Sequence, residues 1–192
     1  MYKLRRVLVV TCILLLATVF WGCQNPNLST GDRKNVESML QNLKKYEADV
    51  SITFTKNKDE SNIKMKQVYR EDGTYQTTIL EPERLKGYYT TYDGHKMSEY
   101  NPSTQETIQT KVNPVLNQLL FGTFVKQYRQ SPVKEVDGTI TLKIPGGFKY
   151  MASEKVWFNE QTKYPMKMEI YDTEGNLTIE IVFESFHYND VK

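Results

Sequence analysis

The residues that could carry out chemistry are few in this sequence of 192 residues, and they are widely separated. The two histidines, His95 and His187, have no local partner at the spacing of a metal site or a catalytic triad. No serine lies in a G-x-S-x-G elbow, and Gly146-Gly147 lacks the Lys and Ser/Thr of a phosphate-binding loop. Both histidines are therefore interpreted as exposed strand residues. The sequence predicts a protein that is not an enzyme and that uses no cofactor or metal.

The N-terminal segment has the pattern of a bacterial lipoprotein signal peptide. A basic start is followed by the uncharged run Val7 to Trp21 and then by Gly22-Cys23. As a helix this run would extend about 22 Å, which is short of a hydrocarbon core of roughly 30 Å. We expect residues 1–22 to be removed and Cys23 to carry a lipid. A plain N-terminal anchor and an uncleaved core helix are the alternatives.

Removal of the leader changes the charge balance of the chain. The whole sequence has 25 Lys and Arg against 23 Asp and Glu, but three of the basic residues belong to residues 1–22. The mature protein is then slightly acidic, which gives no electrostatic basis for nucleic-acid binding. We expect a short tether over residues 23–31 and one domain over residues 32–192. The protein would be exported and anchored by this lipid on the outer face of a membrane.

Hydrophobic periodicity predicts two helices and a large sheet. One helix follows Asp32, and a second begins at Asn113-Pro114 and continues to Tyr128, with Gly122 expected to bend it or end it early. Nearly all the rest alternates with period two, including a strand from Leu85 to Tyr92 that ends in an Asp-Gly turn. About eleven strands joined by short turns predict an antiparallel sheet in an α+β fold.

Several turn and strand motifs resemble those of the LolA/LolB/RseB superfamily. They are the Pro-x-Arg segment 80–85, the Asp-Gly-His-Lys turn in 92–97, the Tyr-Asn-Pro turn 100–102, the Pro strand 164–167 and the Asp-x-x-Gly hairpin 172–175. The resemblance spans about residues 34–188. It implies a LolA-like open half-barrel of antiparallel strands whose concave, apolar face is covered by helices.

Within that superfamily, this small, lipid-anchored chain rich in Lys, Asn and Tyr resembles the germination lipoproteins of spore-forming clostridia. That resemblance implies a non-catalytic partner of a cell-wall N-acetylmuramoyl-L-alanine amidase, which supplies the zinc chemistry that leads to muramic-δ-lactam in spore cortex. The alternative is a lipid or lipoprotein carrier or acceptor that uses an apolar cleft. Two acyl chains would hold the chain at the membrane, so it would act as an acceptor and not as a shuttle. A hydrolase ranks below both.

Aromatic residues suggest where a partner would bind. The chain has 13 Tyr and 8 Phe, and Tyr88, Tyr89, Tyr92 and Tyr100 lie close together in sequence. Tyrosine suits contact surfaces because its ring is apolar and its hydroxyl can stay hydrated. We predict that these four form a binding surface or line a cleft, although about half of the aromatic residues would serve only as core. The unpaired edges of an open sheet also allow strand addition or a homodimer.

Overall fold

The computed structural model describes residues 35–55 and 61–189 of the chain. These residues form one antiparallel sheet of ten strands in the order β6-β5-β4-β3-β2-β1-β10-β9-β8-β7, with helices on one face. The α+β open half-barrel implied by the resemblance is confirmed, with ten strands against the predicted eleven or so. The strands are β1 Lys45–Phe54, β2 Ser61–Arg70, β3 Tyr75–Glu81, β4 Tyr89–Tyr92, β5 Met97–Asn101, β6 Glu106–Thr110, β7 Thr139–Lys143, β8 Ser153–Phe158, β9 Pro165–Tyr171 and β10 Leu177–Tyr188.

The central strand β1 shows how the alternation produces a two-faced sheet. Ala48, Val50 and Ile52 are at most 1% exposed, while the residues between them are only half-buried. Because side chains alternate between faces, every second residue of β1 points to the concave side, where the helices lie. The partner strands β2 and β10 continue this concave face on either side.

The predicted strand from Leu85 to Tyr92 is shorter than the sequence indicated. Residues Glu83–Leu85 form a single 3₁₀ turn, and β4 begins only at Tyr89. Gly87 between them has a φ of 83°, a left-handed conformation that glycine adopts without strain. The hairpin after β4 is confirmed, since β4 pairs with β5 across Asp93-Gly94.

The first predicted helix is α1, Val36–Asn42. Asn35 caps it by accepting a hydrogen bond of 2.6 Å from the Ser38 backbone N–H. Its apolar side chains Val36, Met39 and Leu40 are buried in the hydrophobic core. Arg129 fixes its far end, because the guanidinium donates to the carbonyl oxygens of Leu40 at 3.0 Å and Leu43 at 2.5 Å.

The second predicted helix is two helices, α2 Pro114–Gln118 and α3 Phe121–Gln130. The break falls at Leu119-Leu120 and not at Gly122, which lies in the first turn of α3. A Cβ on Gly122 would come within 2.4 Å of the Tyr69 ring. This glycine is therefore required by close packing, and the predicted bend or early end of the helix falls two to three residues before it.

An aromatic cluster fills the space beneath α3. Phe121 is fully buried and lies within 6.4 Å, between ring centroids, of five other aromatic rings. Burial of large aromatic side chains contributes strongly to the hydrophobic stabilisation of a domain. The five neighbouring rings belong to Tyr46, Phe124, Phe158, Phe183 and Phe186.

The predicted signal peptide, Cys23 and the tether 23–31 lie outside the described residues. Within residues 35–55 and 61–189, no helix has both the length and the apolar character needed to cross a membrane.

Candidate functional site

An apolar cleft of about 320 Å³ lies between α2 and the concave face of strands β1 to β5. Pockets that hold small ligands start at about this size and are mostly apolar, with a few polar groups. The cleft has that character. Its lining consists of Ile52, Phe54, Ile63, Met65, Thr77, Ile79, Tyr88, Tyr89, Thr90, Glu99, Tyr100, Asn113, Val115, Leu116 and Leu119.

The wall opposite the sheet is set by the start of α2. The Asn113 side chain accepts hydrogen bonds from the backbone N–H groups of Val115 at 3.0 Å and Leu116 at 3.3 Å. Pro114 occupies the first turn, where its missing N–H costs nothing. This cap fixes the direction of α2, so that Val115 and Leu116 face the cleft.

A buried polar network holds the break between α2 and α3 onto the sheet. The Tyr46 hydroxyl donates to Gln67 Oε1 at 2.8 Å, and Gln67 Nε2 donates to the Leu119 carbonyl at 3.0 Å. The same hydroxyl accepts from the Gly122 N–H at 3.3 Å. Tyr46 and Gln67 are both fully buried, and burial raises the pKa of the Tyr46 hydroxyl. The network satisfies backbone groups that the helix break would otherwise leave buried without partners.

A second buried polar group lies beneath the end of α2. Glu154 on β8 is fully buried, and its Oε2 accepts a hydrogen bond of 2.8 Å from Gln118 Nε2. Gln127 on α3 donates in turn to Gln118 Oε1 at 3.3 Å. Burial raises the pKa of the Glu154 carboxyl to about 8, and the Gln118 hydrogen bond offsets this only in part. Glu154 is therefore mostly protonated at neutral pH and joins the two helices to the sheet as a neutral acid.

The sheet separates the four tyrosines that the sequence grouped together. Tyr92 pairs with Tyr75 and stands on the concave face, and its ring lies 5.4 Å from that of Tyr75. Tyr88 lines the cleft on the same side. Tyr89 pairs with Tyr100, and both occupy strand positions that alternate with the concave ones. Their stacked rings, 4.7 Å apart, therefore lie on the convex face. Both residues also line the cleft.

Tyr75 connects the concave face to α2. Its hydroxyl donates to Asn117 Oδ1 at 2.7 Å. Burial raises the pKa of this hydroxyl to about 12, so it stays protonated and remains a donor.

The two histidines are exposed, as predicted, but only His187 lies in a strand. His95 lies in the turn before β5, and His187 lies near the end of β10. Among the described residues, no group of three or more His, Cys, Asp or Glu side chains could hold a metal ion. The cleft offers apolar contact and one carboxylate, that of Glu99, which accepts a hydrogen bond of 3.4 Å from Thr110.

Sequence reasoning missed two residues that position the cleft. Gln67 falls on the apolar phase of β2, and a polar residue in that phase is the signal for a buried hydrogen-bonding group. Glu154 gave no such signal, because the alternation predicts a strand only over Lys155 to Phe158, directly after it. Its burial depends on α2 and α3 packing over that end of the sheet.

Comparison with known proteins gives one family match and several structural likenesses. A search of curated protein sequences finds no match. A chain of the Clostridioides difficile structure of the CwlD amidase in complex with the GerS lipoprotein is 24% identical, with a TM-score of 0.46, and the match covers 88% of this chain and 98% of that one. The LolA superfamily protein NE2245 from Nitrosomonas europaea is 13% identical, with a TM-score of 0.44 and coverage of 82% and 94%.

An uncharacterized conserved protein from Thermus thermophilus is also similar, at 11% identity, a TM-score of 0.47 and coverage of 80% and 84%. The family model described as "Sporulation protein YdcC-like" matches residues 3–191. The match extends over almost the whole sequence, and the chain belongs to the YdcC-like family of sporulation proteins.

Proposed function

We propose that this chain is a non-catalytic, membrane-anchored lipoprotein that binds and regulates a cell-wall N-acetylmuramoyl-L-alanine amidase during sporulation. The observation that carries the proposal is membership of a sporulation family over residues 3–191. We infer the class of the partner, a cell-wall amidase, from the sequence resemblance to clostridial germination lipoproteins. The solved complex of an amidase with a lipoprotein provides the pairing to test.

The geometry supports a role in binding. The cleft presents apolar side chains with a single carboxylate, and the sheet ends in edge strands that can accept another chain. Such surfaces recognise a partner through packing and backbone hydrogen bonds. In this proposal the amidase performs the zinc-dependent cleavage that leads to muramic-δ-lactam in the cortex, which germination requires.

The anchor is part of the same proposal. A lipid on Cys23, followed by the tether 23–31, would keep the domain at the outer face of the cell or forespore membrane. Two acyl chains give stable anchoring, so the amidase would be recruited to that surface. Mass spectrometry of the mature protein tests this step directly, and an intact leader with an unmodified Cys23 would contradict it.

The function itself is tested in sporulating cells. Affinity purification of the tagged full-length protein should recover an amidase, and deletion of the gene should remove muramic-δ-lactam from the cortex and block germination. Re-expression of the parent should restore both, whereas Cys23→Ala should restore them only weakly. Normal cortex composition in the deletion strain would overturn the proposal.

A second candidate function is that of a lipid or lipoprotein acceptor, and the apolar cleft of about 320 Å³ favours it. Protein purified in mild detergent would then release acyl chains on organic extraction, beyond those covalently attached at Cys23. Leu116→Trp, which adds bulk to the cleft wall, should reduce the amount extracted. Amidase recovery without extractable lipid would exclude this candidate.

A further inference from the structure

The two edges of the sheet differ in how far they are covered. On β7, Ile140 and Leu142 are 1% and 6% exposed, and the preceding turn is closed by a bridge between Val136 and Thr139. On β6 (Glu106–Thr110), four of the five residues are exposed and the fifth is half-buried. β6 is the last strand at its end of the described sheet and pairs only with β5, so its outer row of backbone N–H and C=O groups can accept another strand.

Two exposed apolar side chains of this edge, Ile108 and Val112, are neighbours of residues that line the cleft. Ile108 on β6 is 57% exposed and pairs with Glu99, which lines the cleft. Val112, just after β6, is 41% exposed and leads into Asn113 and Val115 of the cleft wall. A strand added to β6 could thus place one apolar side chain over Ile108, toward the cleft mouth.

The charge at the cleft mouth is acidic. Glu99 pairs with Ile108 and Asn101 pairs with Glu106, so both carboxylates lie on the cleft side, around Ile108. Neither carboxylate forms an ion pair within the described part of the chain. By alternation, Lys111 belongs to the opposite face. A partner with Lys or Arg side chains would complement this mouth.

We propose that β6 is the docking edge for an extended, basic segment of the amidase partner, which adds to the sheet as an eleventh strand. An apolar side chain of that segment packs over Ile108 at the mouth of the cleft, and a neighbouring Lys or Arg pairs with Glu99 or Glu106. This assignment rests on the proposed function, because it takes the amidase as the partner.

The charges favour a partner segment over a second copy of this chain. Strand Glu106–Thr110 contains a carboxylate and no Lys or Arg. Antiparallel pairing of two copies through Ile108 would bring four carboxylates to the same side of the joined sheet. Like charges that meet at an interface oppose association, whereas a basic segment neutralises them.

The test is the affinity of the full-length protein, purified in mild detergent, for the amidase encoded in the same genome. Ile108→Lys should weaken binding by about tenfold or more, because the introduced charge occupies the centre of the contact. Val136→Lys is the matched control: Val136 is 60% exposed near the other edge, and its substitution should leave affinity unchanged. The double variant Glu99→Gln/Glu106→Gln should bind several-fold more weakly and show a flatter salt dependence.

The possible results separate this assignment from the function on which it rests. If the parent protein does not bind the amidase, the proposed function fails, and the docking assignment fails with it. If the parent binds and Ile108→Lys binds equally well, only the assignment is overturned. If light scattering shows a dimer that Ile108→Lys dissociates, a second copy occupies the edge and the assignment is wrong. Thermal unfolding shows whether Ile108→Lys is misfolded. In that case the double variant Glu99→Gln/Glu106→Gln tests the assignment, and a salt dependence equal to that of the parent would overturn it.

Discussion

The two halves of the sheet are built from similar alternating strands but reach very different degrees of burial. In the half formed by β1 and β8 to β10, concave residues such as Val156, Met168 and Ile181 are fully buried beneath the helices. In the half formed by β4 to β6, most residues are half-buried or exposed. The difference comes from where α1 and α3 pack. The covered half stabilises the fold, and the open half leaves surface for a partner.

The largest effect is expected from Phe121→Ala in the covered half. Removal of a fully buried ring that contacts five other aromatic residues should lower the free energy of unfolding by about 3–5 kcal/mol. Denaturant unfolding of the purified domain measures this loss. Phe148→Ala is the control, since Phe148 is 44% exposed and its loss should cost less than about 1 kcal/mol. Equal losses would contradict the division between a packed half and an open surface.

The next effect is a pH dependence that arises from Glu154. Its pKa is raised from 4.5 to about 8 in the folded chain, so the folded state binds the proton more tightly than the unfolded state. Its stabilising contribution is therefore complete below about pH 4.5 and is lost as the pH rises through about 8. The total loss of unfolding free energy from Glu154 over this pH range is on the order of a few kcal/mol.

Glu154→Gln provides the comparison for this pH dependence. The amide keeps the hydrogen-bonding shape and cannot ionise, so the decline in unfolding free energy between pH 5 and pH 9 should be much smaller than in the parent. The neighbours opposite Glu154 on β7 and β9 are the apolar Leu142 and Ile170, and Gln118 faces it from α2. The same slope in both proteins would show that another group is responsible.

A smaller effect is expected at the polar network that holds the break between α2 and α3 onto the sheet. Tyr46→Phe removes the hydroxyl that bonds Gln67 and Gly122, which leaves a buried oxygen and a buried N–H with fewer partners. The unfolding free energy should fall by about 1–3 kcal/mol. Hydrogen exchange at the amides of α2 and the first turn of α3 should also speed up. Unchanged exchange there would mean that apolar packing alone holds the helix break.

The smallest effect is expected on the convex face of the open half. Tyr100→Ala removes the ring stacked on Tyr89 and should cost about 0.5–1.5 kcal/mol. If Tyr92→Ala, on the concave face, costs no more than this, the separation of the tyrosines into two faces has no energetic consequence. Chemical denaturation of both variants makes the comparison.

Much of the fold was predictable because its signals are local. Alternating residues marked the strands, and Asp93-Gly94 marked a hairpin that the structure confirms. Asn113-Pro114 marked the start of α2, and Asn113 does cap it. The break before α3 was not predictable in position, because it depends on Tyr46 and Gln67 from distant strands. The sequence did not show on which face each of the four tyrosines lies, since proximity in sequence does not say which face a strand residue takes.

By itself, the sequence determined where most strands and turns lie along the chain, and it is the basis of the expectation of a lipid on Cys23. Tertiary structure alone decided which half of the sheet is covered, that Glu154 is buried as a neutral acid, and that Ile108 lies exposed beside two carboxylates. The physical reason is the separation along the chain over which each effect acts. Periodicity and turn chemistry act over a few residues, whereas burial and charge at a site depend on segments that meet only when the helices pack on the sheet.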